Sequence, residues 1–313
     1  MGYTIGSFNT LKMSLQSNKD SKKDFVEIAR IIKQERFDVV ALQEVMNEMV
    51  LRSKVLPALG PDWDGKWLSP TPFTSASNEG YAFIWKKNRL RLVDEPTIYQ
   101  RVGSGVGSGR LIRPPMVARF TPSGLLGGSN FELRLINTHI IFGKPSTLER
   151  TLSDYELRRE ELKVLSETVY RLFSSKRYGN NLPAYTILMG DYNLCISGPG
   201  PKVSPEIPIT DTRILKTVQS EKTSLRASTA PDGEEAETDE ESDVIDLTGT
   251  TDYYSRNYDH FSYEVKLEQS LRLGISRVEA LGKYYSNDLE AYRREVSDHV
   301  PIKLTLNLKN RGE

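Results

Sequence analysis

Several apolar, strand-like runs of this 313-residue chain end or begin on the same few polar side chains. "IGSFN" delivers Asn9, "VVALQE" delivers Glu44, "LINTH" delivers His139, and "TILMGDYN" delivers Asp191 and Asn193. "NYDH" opens a strand with Asp259, "VSDHVPI" opens the last with Asp298 and His299, and Glu79 stands just before "YAFIW". Taken singly, each reads as a cap or a turn. Taken together, they are the inventory of metal-assisted phosphoester hydrolysis. Carboxylates and carboxamides form a hard oxygen shell suited to Mg²⁺ or Mn²⁺, and the lack of thiolate clusters or paired histidines argues against zinc. A neutral imidazole near pH 7 takes a proton from water or, once charged, gives one to a leaving oxygen, and a carboxylate partner fixes its tautomer. Of the three histidines, His139 and His299 belong to this set. His260 follows Asp259 directly, so its side chain points to the opposite face and a structural role is expected.

The elements that must position these residues are visible as apolar runs at 3–8, 38–42, 81–85, 116–120, 131–137, 184–189, 260–265 and 301–308. Helical spacing connects Phe25, Ile28 and Ile32, and later Leu162, Leu165, Val169 and Leu172. Runs such as 116–120 and 131–137 are too close in sequence for a helical crossover, so much of the sheet is expected to be antiparallel. The expected fold is α/β: a four-layer α-β-β-α sandwich with two mostly antiparallel sheets face to face and helices outside. The strand ends then converge on one rim. Loops are expected at "RVGSGVGSGR" (101–110) and "SGPGPKVSPEIP" (197–208). The first lacks the Lys-Ser/Thr of a nucleotide-binding loop.

The chain has 42 basic and 42 acidic residues, a formal charge of zero. The average hides an asymmetry. Residues 227–255 hold ten acids and no Lys or Arg, which leaves 42 basic against 32 acidic residues, +10, on the rest. A body of that sign attracts a phosphate polymer. The acidic run reads as a solvated insert in one catalytic domain spanning 1–313, because strand-like sequence resumes after it. No apolar window reaches the ~18 residues of a membrane span, and "MGYTIGSFNT" carries no signal-peptide pattern, so no membrane partner and a cytoplasmic location are expected. Gly6 stands where a myristoylation signal needs Ser or Thr. The single cysteine, Cys195, forms no internal disulfide, consistent with a reducing compartment.

The ordered motifs resemble the endonuclease/exonuclease/phosphatase superfamily typified by deoxyribonuclease I. The likeness runs from "SFNTL" to "SDHVPI": Asn9, then Gln43-Glu44, then Glu79 before an aromatic strand, then Arg113 in "LIRPPM", then His139, then Gly-Asp-x-Asn at 190–193, then Tyr258-Asp259, then Ser-Asp-His at 297–299. The resemblance implies that Asn9, Glu44, Asp191, Asn193 and Asp298 hold a divalent metal and the scissile phosphate. It implies that His299, oriented by Asp259, is the general base on water. His139, oriented by Glu79, would be the general acid, and Arg113, with Asn9 and Asn193, would contact the phosphate backbone. "SNEGYAFIW" and "LIRPPM" point to the nuclease branch. The segment "NTHIIFGKP", the missing disulfides and the acidic insert depart from the secreted enzyme.

The leading expectation is a Mg²⁺- or Mn²⁺-dependent DNA endonuclease that cuts P–O bonds by in-line attack of water. Lys86, Lys87, Arg89 and Arg110 are expected near the rim as phosphate contacts. The alternative within enzymes is a phosphatase or phosphodiesterase for a small or lipid phosphoester. Outside enzymes, the acidic "DEESDVIDLTG" (239–249) resembles a SUMO-interacting motif, which adds a strand to a partner's sheet and would make the chain an interaction module.

Overall fold

The computed structural model describes residues 2–16, 22–70, 79–99, 111–124, 131–140, 153–178, 182–198, 202–226 and 253–309. Most of the acidic run, including 239–249, and the loop 101–110 with Arg110 lie outside the described residues.

In chain order the strands are β1 (Gly2–Met13), β2 (Val39–Val45), β3 (Trp63–Leu68), β4 (Gly80–Lys86), β5 (Leu90–Leu92), β6 (Thr97–Ile98), β7 (Met116–Pro122), β8 (Glu132–His139), β9 (Ala184–Asp191), β10 (Glu206–Thr210), β11 (Arg213–Val218), β12 (Asp259–Glu264), β13 (Leu271–Arg277) and β14 (Ile302–Leu308). The helices are α1 (Phe25–Gln34), α2 (Glu48–Val50), α3 (Leu56–Leu59), α4 (Asp154–Val164), α5 (Arg171–Ser175), α6 (Leu267–Ser270), α7 (Ala280–Tyr285) and α8 (Leu289–Glu295). π-helical turns at Leu51–Val55 and Leu165–Tyr170 join α2 to α3 and α4 to α5.

Two mixed sheets result, one ordered β13-β14-β1-β2-β4-β3 and the other β10-β11-β12-β9-β8-β7-β5, with β6 also on β7. Each contains one parallel pair, β1 with β2 and β8 with β9. All the other strand pairs are antiparallel. The alternation of each strand decides the layers. One face of the first sheet, through Ile5, Val39, Phe83 and Leu304, meets Phe120, Leu135, Met189 and Phe261 of the second in an apolar inter-sheet core. The opposite face of the first sheet, with Phe8, Val40 and Ile84, packs on Ile28, Ile31 and Ile32 of α1 and on α7 and α8. The opposite face of the second sheet, with Ile136 and Leu188, packs on Leu162, Leu165 and Val169 of the α4–α5 run. The four layers are those the sequence patterning predicts.

The parallel pairs place the site. A parallel pair brings both C-terminal ends to one edge, so β1 and β2 deliver Asn9 and Glu44 together, and β8 and β9 deliver His139 and Asp191 in register. Antiparallel neighbours start where these end. Asp259, first in β12, lies opposite Asp191, while Glu79 precedes β4 and His299 precedes β14. Lys86, Lys87 and Arg89 therefore stand at the wrong end. Glu79 enters β4 at the rim and Lys86 leaves it about 20 Å away, at about 3.3 Å per residue. Arg89 is bound there to the buried Asp38 at 3.0 Å. Residues 206–208 of the expected second loop belong instead to β10, an edge strand that tolerates Pro208 because one side needs no ladder partner.

Candidate active site

Two carboxylate–imidazole pairs form the centre of the rim. Glu79 Oε1 lies 2.7 Å from His139 Nδ1, and Asp259 Oδ2 lies 2.7 Å from His299 Nδ1. In each pair the other ring nitrogen turns to the same atom: His139 Nε2 and His299 Nε2 are both 3.7 Å from Asp191 Oδ2. Asn9 Nδ2 donates to that Oδ2 and to Glu44 Oε1, both at 3.0 Å, and so ties the first sheet's carboxylate to the second's. Its own Oδ1 accepts from the Leu11 amide. Asn193 donates its backbone N–H to Asp191 Oδ1 at 2.9 Å and its Nδ2 to Ile140 O at 2.8 Å. Asp298 is partly exposed beside His299, where its charge bears on the imidazole. Arg113 reaches in from the far side, Nη2 to Glu79 Oε2 at 2.8 Å and Nη1 2.8 Å from His139 Nδ1.

One ring nitrogen cannot donate to Glu79 and accept from Arg113 at the same time. Charge settles the assignment. Burial pulls the His139 pKa down, but the hydrogen bond to Glu79 and the nearby Asp191 and Glu44 outweigh it, and the net shift is upward despite Arg113. An ionised Glu79 only accepts, so His139 Nδ1 donates to it, and Arg113 is held through its own ion pair with Glu79. Burial also opposes the charge of His299, yet Asp259, Asp191 and Asp298 together raise its pKa well above the ordinary value. Asp191 is raised, first by its own burial and then by Asp259, with both imidazoles working in the opposite direction.

Backbone strain concentrates at the same rim. Glu44, Asn193, Leu11 and Lys12 all have positive φ, at 59°, 49°, 43° and 47°. A β-bulge between Asn9 and Met13 produces the Leu11–Lys12 turn, which lets the Lys12 amide donate to Glu44 Oε2 at 2.9 Å. Gly190 has φ 146°, and a Cβ there would stand 1.8 Å from Thr138 O, so only glycine lets β9 lie this close to β8 behind Asp191.

The expected metal-ligand, acid–base and Arg113 positions are thus brought together, with His260 outside them. Its ring nitrogens face Gln219 O and Leu194 O at 3.1 and 2.7 Å, and burial lowers its pKa, as for a structural imidazole. Sequence reasoning missed several supports. Gln43 and Asn137 join the sheets beneath the site at 2.7 Å, Ser297 Oγ donates to Asn9 O, and Tyr81 Oη accepts from the His139 amide. The buried Lys23 donates to Val296 O near Asp298 and Glu44, and burial drops its pKa to about 8. A lysine in "SKKDF" gives no sign of this before the fold is known.

A model of the Endonuclease/Exonuclease/phosphatase family matches residues 6–299. The chain belongs to this family. It is accordingly a phosphoesterase of the endonuclease/exonuclease/phosphatase superfamily, whose members hydrolyse phosphoester bonds and typically need a divalent metal. No curated protein matches the sequence. Among solved structures the chain is similar to an endonuclease/exonuclease/phosphatase from Bacteroides vulgatus, with TM-score 0.58, 13% identity, and 99% of this chain and 100% of that one covered. It is similar to truncated Caenorhabditis elegans TDP2, with TM-score 0.52, 16% identity and 97% of each covered. It is also similar to a mannosyl-6-phosphatase from Bacteroides thetaiotaomicron, with TM-score 0.54, 14% identity, and 98% and 100% covered. At such identities the likeness is one of fold, the α/β sandwich of the family.

The donor set fits the family's metal. Glu44, Glu79 and His139 each bring a ligand atom within 4.8 Å of the others, and so do Asp191, Asp259 and His299. The histidines are already committed to carboxylates through Nδ1, whereas Glu44 and Asp191 are gathered by Asn9 into an oxygen-rich pocket. Oxygen donors of this kind suit a hard divalent cation. No helix among the described residues is long and apolar enough to cross a membrane.

Proposed function

We propose that the chain is a Mg²⁺- or Mn²⁺-dependent phosphodiesterase that hydrolyses DNA. The observation that supports this best is the convergence of two imidazoles, each backed by its own carboxylate, on one oxygen of Asp191. In-line hydrolysis of a phosphodiester needs a base on the attacking water and an acid on the leaving oxygen, on opposite sides of phosphorus. His299, oriented by Asp259, takes the water proton in its neutral form, which a cation held by Asp191 and Asp298 would favour by offsetting the carboxylate charge that otherwise raises its pKa. His139, charged and oriented by Glu79, gives a proton to the leaving oxygen, and Arg113 beside it meets a phosphate of the strand.

Glu44, Asp191 and Asp298, with Asn9 and Asn193, would hold the cation. When bound, it supplies charge that polarises the phosphoryl oxygen and steadies the transition state. Asn9 and Asn193 keep Asp191 in place through its two oxygens. A polymeric substrate suits the +10 charge of the chain outside 227–255.

A phosphatase reading has support of its own, since one solved neighbour is a mannosyl-6-phosphatase. The discriminating experiment compares nicking of supercoiled plasmid with inorganic phosphate release from sugar and lipid phosphomonoesters, each with Mg²⁺ and with EDTA. Plasmid nicking that EDTA abolishes is expected. Activity on the monoesters alone overturns the DNA reading.

A further inference from the structure

The run "LRREELKVL" (157–165) looks like a solvated helix face, and its inner charges, Arg159 and Glu160, are indeed exposed. The outer two are not. Arg158 is 7% exposed and Glu161 is 2% exposed, one helical turn apart on the face of α4 that also buries Leu162. Burying two charges is costly unless both are well bonded, so what they bond is informative. Glu161 Oε1 accepts the backbone N–H groups of Ile112 and Arg113, both at 3.1 Å. Arg158 Nη1 donates to the carbonyl oxygen of Asn193 at 2.9 Å. Arg113 leads on to Glu79 and His139, while Asn193 leads on to Asp191.

We infer that α4 is the brace of the site: Glu161 and Arg158 are positioning residues that set Arg113 and Asn193 at a fixed separation across the scissile phosphate, an inference that rests on the phosphodiesterase reading. The main chain at 111–113 forms no strand and needs an outside anchor. Asn193, in the left-handed region, likewise holds its conformation only while its carbonyl and amide are both bonded. α4 is suited to the task because a capping box between Ser153 and Glu156 fixes its start.

The test combines hydrogen exchange with kinetics on bis(p-nitrophenyl) phosphate and plasmid in Mg²⁺. Glu161→Leu should speed amide exchange at 112–113 at least about tenfold and lower kcat/KM by about 10–100-fold, the scale of a misplacement near 1 Å. Glu161→Gln, which keeps the accepting oxygen, should restore most of both. Because Glu161 acts through the Arg113 side chain, the kinetic loss should largely vanish in an Arg113→Ala background. Arg158 acts through the main-chain carbonyl of residue 193, so Arg158→Leu should speed exchange of the 193 amide by a similar factor. If Glu161→Leu does not fold, Glu161→Asp draws the carboxylate back by one methylene and should reproduce the loss in milder form. Losses that simply add in the Glu161→Leu, Arg113→Ala double variant, a Gln variant as impaired as Leu, or unchanged exchange at 193 in Arg158→Leu overturn the brace. If the wild-type chain hydrolyses no phosphodiester, the functional reading has failed instead. Exchange at 112–113 then still decides whether Glu161 holds the Arg113 segment, and unchanged exchange in the Leu variant rejects it.

Discussion

The hydrogen bond to Glu79, together with the charges of Asp191 and Glu44, raises the His139 pKa against burial and Arg113. A general acid works only while protonated, so kcat/KM falls as pH rises through the His139 pKa. Glu79→Gln removes the group that holds this pKa up, and the falling limb of the pH–rate profile should move to lower pH. A limb that stays in place removes His139 from the acid role. His139→Ala and His299→Ala should each cost about 10²–10⁴-fold in turnover with little change in Tm, measured on a phosphodiester in Mg²⁺. The site residues were legible in the sequence because each sits at one end of an apolar run: Asn9, Glu44, His139 and Asp191 close theirs, while Glu79, Asp259 and His299 stand at the start of theirs. Arg158 and Glu161 were not, because a run of four charges gives no hint of which two a helix turns inward. Lys86, Lys87 and Arg89 were misplaced for a different reason. They follow Glu79 closely in sequence, but the length of β4 carries them to the opposite end of the sheet.

At the scale of elements, the strands that were legible are central ones with continuous or alternating apolar residues. Those that were not, such as β3, β10 and β13, lie at or beside sheet edges, where "WDGKWL", "EIPIT" and "LRLGISR" need bury only part of their surface. β9 lies against β8 at Gly190, where Gly190→Ala would force a Cβ into Thr138 O as well as strain φ. A loss of about 2–4 kcal/mol in denaturant unfolding is expected, with turnover falling along with it because Asp191 is the next residue. Farther from the site, Glu35 at the end of α1 accepts from Lys283, Lys303 and Tyr284 and so ties α7 and β14 to α1. Burial alone would raise its pKa, but these three partners hold it at about 2. A lowered folded pKa contributes stability that is fully present above the unfolded value of about 4.3 and lost as pH falls toward 2. Glu35→Gln should therefore flatten the dependence of stability on pH in that window and cost about 1–3 kcal/mol at pH 7. An unchanged slope would show that the three bonds do not persist in solution.

For the whole molecule, the decisive quantity is how charge is divided between residues 227–255 and the rest of the chain. The total is zero only because ten acids in that stretch cancel the +10 of everything else. A basic body binds a phosphate polymer by releasing counterions, so affinity falls steeply as salt rises. A tethered polyanion competes for the same cationic surface, and salt screens this competition too, over about 10 Å at 0.1 M. Deleting residues 229–249 removes nine of the ten acids and no base. If the stretch competes with substrate, the deletion should lower KM for plasmid at low salt, leave kcat unchanged, and lose its effect as salt approaches about 0.5 M. A small uncharged-tail diester, which gains little from a basic surface, should show no change in KM at any salt, and this control separates charge competition from a disturbance of the catalytic rim. A KM for plasmid that is the same with and without the stretch at low salt would mean that the ten acids leave the basic surface open.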